Sequence, residues 1–284
     1  MSSSVDISMD RSGEGRQDSQ VGVEPRVFWD LLSVPKASAD KISLIIPVFN
    51  EAPHLAELLA AIDRVRLSRP CELVIVNDGS IDGSSRIIRR FPFTNDVQII
   101  DQPTNRGKGA AVAAGIACAT GSIIGIQDAD FEYRFDEIAR LVEPIIADKA
   151  DVVYGSRFGP GAPPPSRGIH YLANRVLTEL SNLCSGLRLT DMETCYKFFR
   201  ADVIKNVRLE SQRYGFEPEV TAKIARLRVR LVELPISYAP RGRRDGKKIG
   251  WRDGVAAIWH ILYFNLLARR TVWIGKDLPA AFRP

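Results

Sequence analysis

Gly125-Ile-Gln-Asp-Ala-Asp-Phe-Glu-Tyr-Arg-Phe135 is the stretch on which the chain turns. An apolar run through Ile123, Ile124 and Ile126 stops at three acids on alternate positions, Asp128, Asp130 and Glu132. Alternate side chains of an extended backbone point the same way, so the three carboxylates converge beyond the end of a buried strand. Clustered anions repel unless a cation lies among them, and Mg²⁺ or Mn²⁺ commonly bridges carboxylates to substrate phosphates. A solvated turn would carry the same triplet, so the surrounding chain has to decide.

Working outward, Ile42-Ser-Leu-Ile-Ile-Pro47 is a short, nearly continuous apolar run, the pattern of a strand buried on both faces, and Leu73-Val-Ile-Val76, Val97-Gln-Ile-Ile100 and Ser122–Gln127 read as the next three strands. Between them lie polar turns and helical patterns, with Leu55, Leu58, Leu59 and Ile62 on one side of the first helix and an alanine-rich helix from Gly107 to Ala119. Strand, turn and helix repeat four times, which calls for an α/β fold with a parallel sheet between helices. Ligands of such sheets bind outside the carboxyl ends of the strands, where Phe49–Glu51, Asp78–Asp82, Asp101–Lys108 and Asp128–Glu132 fall. Further on, a helix is expected at Phe135–Ala147, a strand at Asp151–Tyr154, helices at Tyr171–Leu183 and Glu217–Arg226, and strands near Tyr196–Arg200 and Val229–Pro235. The four-proline loop Gly159–Gly168 reads as a lid or substrate-facing loop.

The chain of 284 residues carries a net charge of +5, with Arg241, Arg243, Arg244, Lys247, Lys248, Arg252, Arg269 and Arg270 crowded into its last fifth. That placement points to phosphates or a membrane surface rather than nucleic acid. Four cysteines without Cys-x-x-Cys spacing and only three histidines argue against a zinc site and against Cys/His catalysis. Residues 1–38 read as a disordered lead, with Val27–Val34 as a short docking helix, 39–250 as the catalytic domain and 251–284 as a C-terminal segment. No apolar run approaches the roughly 20 residues needed to span a bilayer, and no signal peptide opens the chain.

A P-loop requires Ser or Thr after its lysine, whereas Lys108 is followed by Gly109. A dinucleotide-binding turn requires glycines after the first strand, and Pro47-Val-Phe-Asn-Glu51 has none. What remains is a parallel sheet that binds a nucleotide without a glycine-rich loop. Ile45-Ile-Pro-Val-Phe-Asn-Glu51, Val76-Asn-Asp-Gly-Ser-Ile-Asp-Gly83, Asn105-Arg-Gly-Lys-Gly109 and Asp128-Ala-Asp130 resemble, in order and spacing, the inverting family 2 glycosyltransferases of GT-A fold. Val153-Tyr-Gly-Ser-Arg157, Asp191-Met-Glu-Thr-Cys-Tyr-Lys197, Tyr214-Gly-Phe-Glu217 and Glu233-Leu-Pro-Ile-Ser-Tyr238 look like the polyprenyl-phosphate sugar synthases, the dolichyl-phosphate mannose synthase group. The likeness runs from about Lys41 to Asp253.

The resemblance implies that Pro47, Phe49, Glu51 and Asp78 hold the nucleoside and that Lys108 and Asp128 help bind the nucleotide sugar. It implies that Asp128 and Asp130 ligate Mg²⁺ or Mn²⁺ on the diphosphate, with Glu132 as a third ligand. Asp130, Arg157, Glu193 and Glu217 are the catalytic candidates. Arg157, Arg167, Arg241, Lys247 and Lys248 are aimed at phosphate, too many cations for one diphosphate that already holds a metal. A second anionic substrate, a polyprenyl phosphate, accounts for the surplus. Such an acceptor is ionised at neutral pH and needs no base, whereas a hydroxyl acceptor would require Glu193 or Glu217 to take its proton. A non-catalytic nucleotide-binding scaffold at the membrane is the reading of another class. Trp251–Ala268 is strongly apolar and flanked by cations, as in an interfacial helix that brings the enzyme to the cytoplasmic face of a membrane. A helix packed on the catalytic domain or on a second subunit of a homo-oligomer would look the same.

Overall fold

Seven strands form one mixed sheet in the order β3-β2-β1-β4-β6-β5-β7. The computed structural model describes residues 38–162, 168–240, 251–268 and 273–284. The strands are β1 (Ser38–Val48), β2 (Cys71–Asn77), β3 (Asp96–Asp101), β4 (Gly121–Ile126), β5 (Val152–Ser156), β6 (Lys197–Arg200) and β7 (Leu231–Pro235). The helices are α1 (Ala52–Asp63), α2 (Ser84–Arg90), α3 (Lys108–Cys118), α4 (Ile138–Ile146), α5 (Ile169–Ser185), the single turn α6 (Ala201–Ile204), α7 (Phe216–Ile224) and α8 (Trp251–Leu262). All strand pairs are parallel except those of β6, which runs antiparallel to both β4 and β5. Ser38, the last residue of the expected disordered lead, already opens β1; the rest of that lead with its docking helix, and Arg167, Arg241, Lys247 and Lys248, lie outside the described residues.

Three of the four apolar runs of the first half, β2, β1 and β4, lie side by side with both faces covered, while the third run, β3, is the half-buried edge strand. Leu44, Ile45, Ile46, Leu73, Val74, Ile75, Ile123, Ile124 and Ile126 are almost fully buried. Helix α3 lies against β1 and β2. Its approach is so close that a Cβ on Gly115 would stand 2.4 Å from the Ile45 side chain. The Ala-Gly composition of α3 is therefore a packing requirement and not a weak helix.

The order of connection places the site. From β1 the chain moves outward to β2 and β3, then returns by way of α3 to β4 on the other side of β1. The topological switch point lies between β1 and β4, in register at Ile45 and Ile126. Loops leaving the two strands at their carboxyl ends diverge there and open a crevice. Among the described residues no helix is long and apolar enough to cross a membrane.

Candidate active site

The loops after β1 and β2 are laced together. Asn50 takes a left-handed φ of 52°, and its Oδ1 accepts the Ile81 N–H at 2.9 Å. The N–H groups of Asn50 and Glu51 donate to Ser80 Oγ and Ser84 Oγ, both at 3.0 Å. Asp82 Oδ2 accepts the Ala52 N–H at 2.9 Å, opening α1. Pro47, Phe49 and Glu51 are half-buried along this edge, beside the carboxyl end of β4.

Asp78 turns inward from the same edge. It is 2% exposed; its Oδ1 accepts the Arg106 N–H at 2.7 Å, and its Oδ2 accepts the Gly107 N–H at 2.7 Å and Asn105 Nδ2 at 2.9 Å. Burial pushes its pKa up, against the pull of the two backbone amides. The carboxylate expected to meet a nucleoside thus shapes the loop that precedes α3. Gly107 makes that loop possible, with φ of 91° and no room for a Cβ, which would lie 2.5 Å from the Gln212 carbonyl oxygen.

The loop delivers Lys108 into the crevice as the first residue of α3. Its ammonium lies 2.8 Å from Asp128 Oδ1 and 2.7 Å from Glu217 Oε1, with the lysine side chain 14% exposed. Burial disfavours the charge, but the surrounding anions, Asp128 foremost, outweigh it and hold the pKa well above the usual lysine value. Three residues far apart in sequence therefore form one charged group. Glu217 arrives there on the first turn of α7, a helix whose start is tied down by Ser211 N–H and Glu210 N–H donating to Glu219 at 2.7 Å.

Asp130 is buried, and its Oδ1 accepts the Glu132 N–H at 3.0 Å, closing the turn after β4. Glu132 accepts a hydrogen bond from Tyr238 Oη at 3.1 Å. Among the described residues no three His, Cys, Asp or Glu side chains gather into a metal-holding group, so the third ligand expected of Glu132 is not assembled beside the two aspartates. The donor set on offer is Asp128 and Asp130. Two carboxylates suit Mg²⁺ or Mn²⁺, which keep waters and complete their shells with substrate phosphate oxygens.

Arg157 follows β5 and grips Asp191 through Nε at 2.6 Å and Nη2 at 2.8 Å, while its backbone N–H donates to the same carboxylate at 3.0 Å. Its guanidinium carbon lies 5.0 Å from the Tyr238 ring centroid and 5.3 Å from that of Phe158. The arginine expected to seek phosphate is thus bound to a fully buried acid. Burial opposes its charge, but Asp191 holds it well above its ordinary pKa.

The turn held by Asp191 carries Glu193. Glu233 accepts the Thr190 N–H at 2.8 Å and the Asp191 N–H at 3.1 Å, and the Cys195 N–H donates to Tyr133 Oη at 3.2 Å. Glu193 Oε1 is buried and has no hydrogen-bond partner among the described residues. Burial, then the repulsion of Glu217, pushes its pKa up to about 7. Such a carboxyl can accept or release a proton near neutrality.

Sequence reasoning assigned no role to Asp191, Glu233 or Lys197, although each sits in a quoted motif. A detectable signal was Lys197 itself, a charge inside the otherwise apolar run Tyr196-Lys-Phe-Phe199.

Fold and site together define an α/β protein with carboxylates and a buried lysine gathered at the switch point of its sheet. The model for Glycosyl transferase family 2 matches residues 43–208, and the chain belongs to that family; it is a glycosyltransferase. It is 30% identical over 247 residues to an undecaprenyl-phosphate mannosyltransferase of Micrococcus luteus, covering 83% of this chain and 97% of that one. It is 27% identical over 255 residues to a dolichyl-phosphate beta-glucosyltransferase of Trichomonas vaginalis, covering 83% and 74%. Among solved structures it is similar to a glucosyl-3-phosphoglycerate synthase of Mycobacterium tuberculosis in complex with Mn²⁺ and uridine diphosphate. That match has a TM-score of 0.62 at 16% identity and covers 81% of each chain. At that identity the likeness is one of fold, and the fold is GT-A.

Proposed function

We propose that the protein transfers a hexose, with inversion, from a nucleotide sugar of the GDP-mannose or UDP-glucose type to a polyprenyl phosphate. The observation that carries the reading is the group formed by Lys108, Asp128 and Glu217 at the switch-point crevice, in a chain that aligns with almost the whole length of an undecaprenyl-phosphate sugar transferase. Pro47, Phe49 and Glu51 line the side that receives the nucleoside, and Asp78 supports it through the Asn105–Gly107 loop. Asp128 and Asp130 would hold Mg²⁺ or Mn²⁺. When bound, the cation supplies countercharge to the departing nucleoside diphosphate.

The remaining work falls to the chain. Lys108 adds a second positive charge on the leaving-group side. Glu193 and Glu217 accept hydrogen bonds from sugar hydroxyls, and their negative charge faces the positive charge that grows at the anomeric carbon. Arg157 fixes the Asp191 turn and directs its remaining N–H groups toward an acceptor phosphate. Arg167, Arg241, Lys247 and Lys248 are its proposed partners in that task. An acceptor phosphate is already ionised, so no proton has to be removed before in-line attack. A hydroxyl acceptor is the second reading, favoured by one observation: a Glu193 carboxyl poised at about 7 suits a general base.

The lipid acceptor requires a membrane contact. Helices α5 and α8 pack on each other and, with the helical turn Tyr263–Leu267 that follows α8, leave Leu172, Val176, Leu183, Val255, Trp259 and Leu266 more than half exposed. We place this surface on the cytoplasmic leaflet as a peripheral contact, while a second copy of the chain would be its other occupant. Incubation with radiolabelled GDP-mannose or UDP-glucose, Mg²⁺ and undecaprenyl phosphate should give a solvent-extractable, acid-labile product. Label confined to a water-soluble or polymeric product would replace the lipid reading with the hydroxyl one.

A further inference from the structure

Lys197 is a fully buried charge that the reaction above leaves unused. It opens β6. A buried ammonium normally pairs with a carboxylate, because transfer of an isolated charge out of water is expensive. Lys197 forms no ion pair within 4.0 Å among the described residues. Its Nζ donates instead to two backbone carbonyls, Met192 O at 2.8 Å and Thr194 O at 2.5 Å, and lies 4.3 Å from the ring centroid of Tyr154. That tyrosine is fixed in turn, its hydroxyl 3.2 Å from Thr221 Oγ1 on α7. The two carbonyls belong to the residues on either side of Glu193.

We infer that Lys197 is the positioning residue for Glu193: one buried ammonium ties the carbonyls of Met192 and Thr194, the residues on either side of the glutamate, and brings a positive charge into the same buried turn. The inference rests on the role given above to Glu193. The turn cannot rotate without breaking two charge-assisted hydrogen bonds, each roughly twice as strong as a neutral one. The groups acting on Glu193 come from each packed element: Glu217 from α7 and Asp191 from its own turn raise its pKa, whereas Lys197 from β6 and Arg157 from β5 lower it. Burial brings the lysine's own pKa down, against the pull of the acids around it.

Lys197→Met keeps the stem and removes the charge. It should lower kcat at least tenfold, leave the donor KM within about threefold, and move the acid limb of the kcat–pH profile upward by half a unit or more. Hydrogen exchange of the amides of residues 192–195 should accelerate in the free protein, a readout independent of the reaction. In a Glu193→Gln background the same substitution should cost less than twofold. Wild-type kcat and unchanged exchange in folded Lys197→Met, or full multiplication of the two single effects, would overturn the inference. Full activity of Glu193→Gln would remove the role of Glu193 and the inference with it, whereas failure of transfer to the lipid alone would leave the exchange result standing. If Lys197→Met does not fold, Lys197→Gln, which retains a donor without the charge, should show the same upward shift of the acid limb; an unmoved limb counts against the inference.

Discussion

Asp78 and Asp130 are both aspartates just beyond a strand, and the fold uses them differently. Asp78 accepts three N–H bonds while buried. Asp78→Ala leaves those donors without their acceptor and should cost about 1–3 kcal/mol of stability, read as a lowered denaturation midpoint. Asp130→Ala should abolish transfer while the protein still folds, with a loss of about 1 kcal/mol for the Glu132 N–H it leaves without its acceptor; unchanged turnover would remove the metal proposal. The sequence showed both acids at a strand's carboxyl end. The direction of Asp78 was not legible, because it is set by a loop near Gly107 whose path depends on the distant Gln212 carbonyl. Arg157 teaches the same lesson, since its partner Asp191 stands 34 positions away. Arg157→Ala strands a buried carboxylate and should destabilise the protein by about 3–5 kcal/mol, more than loss of a phosphate contact would. Glu193 yields a pH prediction. Its folded-state pKa is raised, so the folded state binds the extra proton and stability falls as pH climbs from the ordinary glutamate range through about 7. Glu193→Gln should therefore raise the melting temperature at pH 8 and change it little at pH 4; a gain equal at both values would contradict the burial of that charge.

At the scale of elements, the first half of the chain was legible because each strand there carries a compact apolar run and each connection is short. Burial on both sheet faces erases the alternation of half-exposed strands and leaves a signature that sequence alone carries. Strand β6 was recognisable as a strand but not by direction. Its antiparallel course follows from the long excursion through α5, and no local pattern records which way a chain returns. The amino ends of β1, β2 and β4 are joined by a feature no motif announced. Glu72 of β2 is buried and accepts Ser43 Oγ from β1 at 2.5 Å, and the N–H and Oγ1 of Thr120, just before β4, at 2.6 and 2.7 Å; Lys41 pairs with it at 3.0 Å. Burial alone would raise its pKa, yet these donors bring it down to about 2. A depressed acid contributes stability that is complete above the unfolded pKa and is lost as pH falls toward 2. Glu72→Gln should thus destabilise by about 3 kcal/mol at pH 7 and by much less at pH 2.5, measured by chemical denaturation. Equal losses at the two values would mean that packing rather than charge is responsible.

At the scale of the whole molecule, the sequence marked the last helix as a membrane element and left a packed or oligomeric helix as the alternative. In the structure α8 packs on α5 and α7, with Ile261 and, in the helical turn after it, Phe264 buried, while Trp259 is 57% and Leu266 65% exposed. Helix α5 contributes Leu172, Val176 and Leu183, spaced to fall on one face, at 63, 55 and 83% exposure. That second helix could not be read as part of such a surface from sequence, since its apolar face would serve equally well against the core. Trp259 stacks on Tyr263 with ring centroids 5.9 Å apart, and amphipathic rings of this kind favour the level of lipid headgroups. Arg252, Arg269 and Arg270 flank the segment in sequence, which adds attraction to anionic lipid. If the surface meets a bilayer, Trp259→Ser with Leu266→Ser should remove about 2 kcal/mol of apolar transfer energy. Binding to anionic vesicles in a flotation assay would then weaken roughly thirtyfold. Leu172→Ser with Leu183→Ser, on the other helix, should weaken it by a comparable factor, because one membrane plane would touch both. Higher salt should reduce binding of the wild type further through the basic flanks. Flotation undiminished in both pairs, together with a fall in sedimentation mass from dimer to monomer, would assign the surface to a second copy of the chain instead.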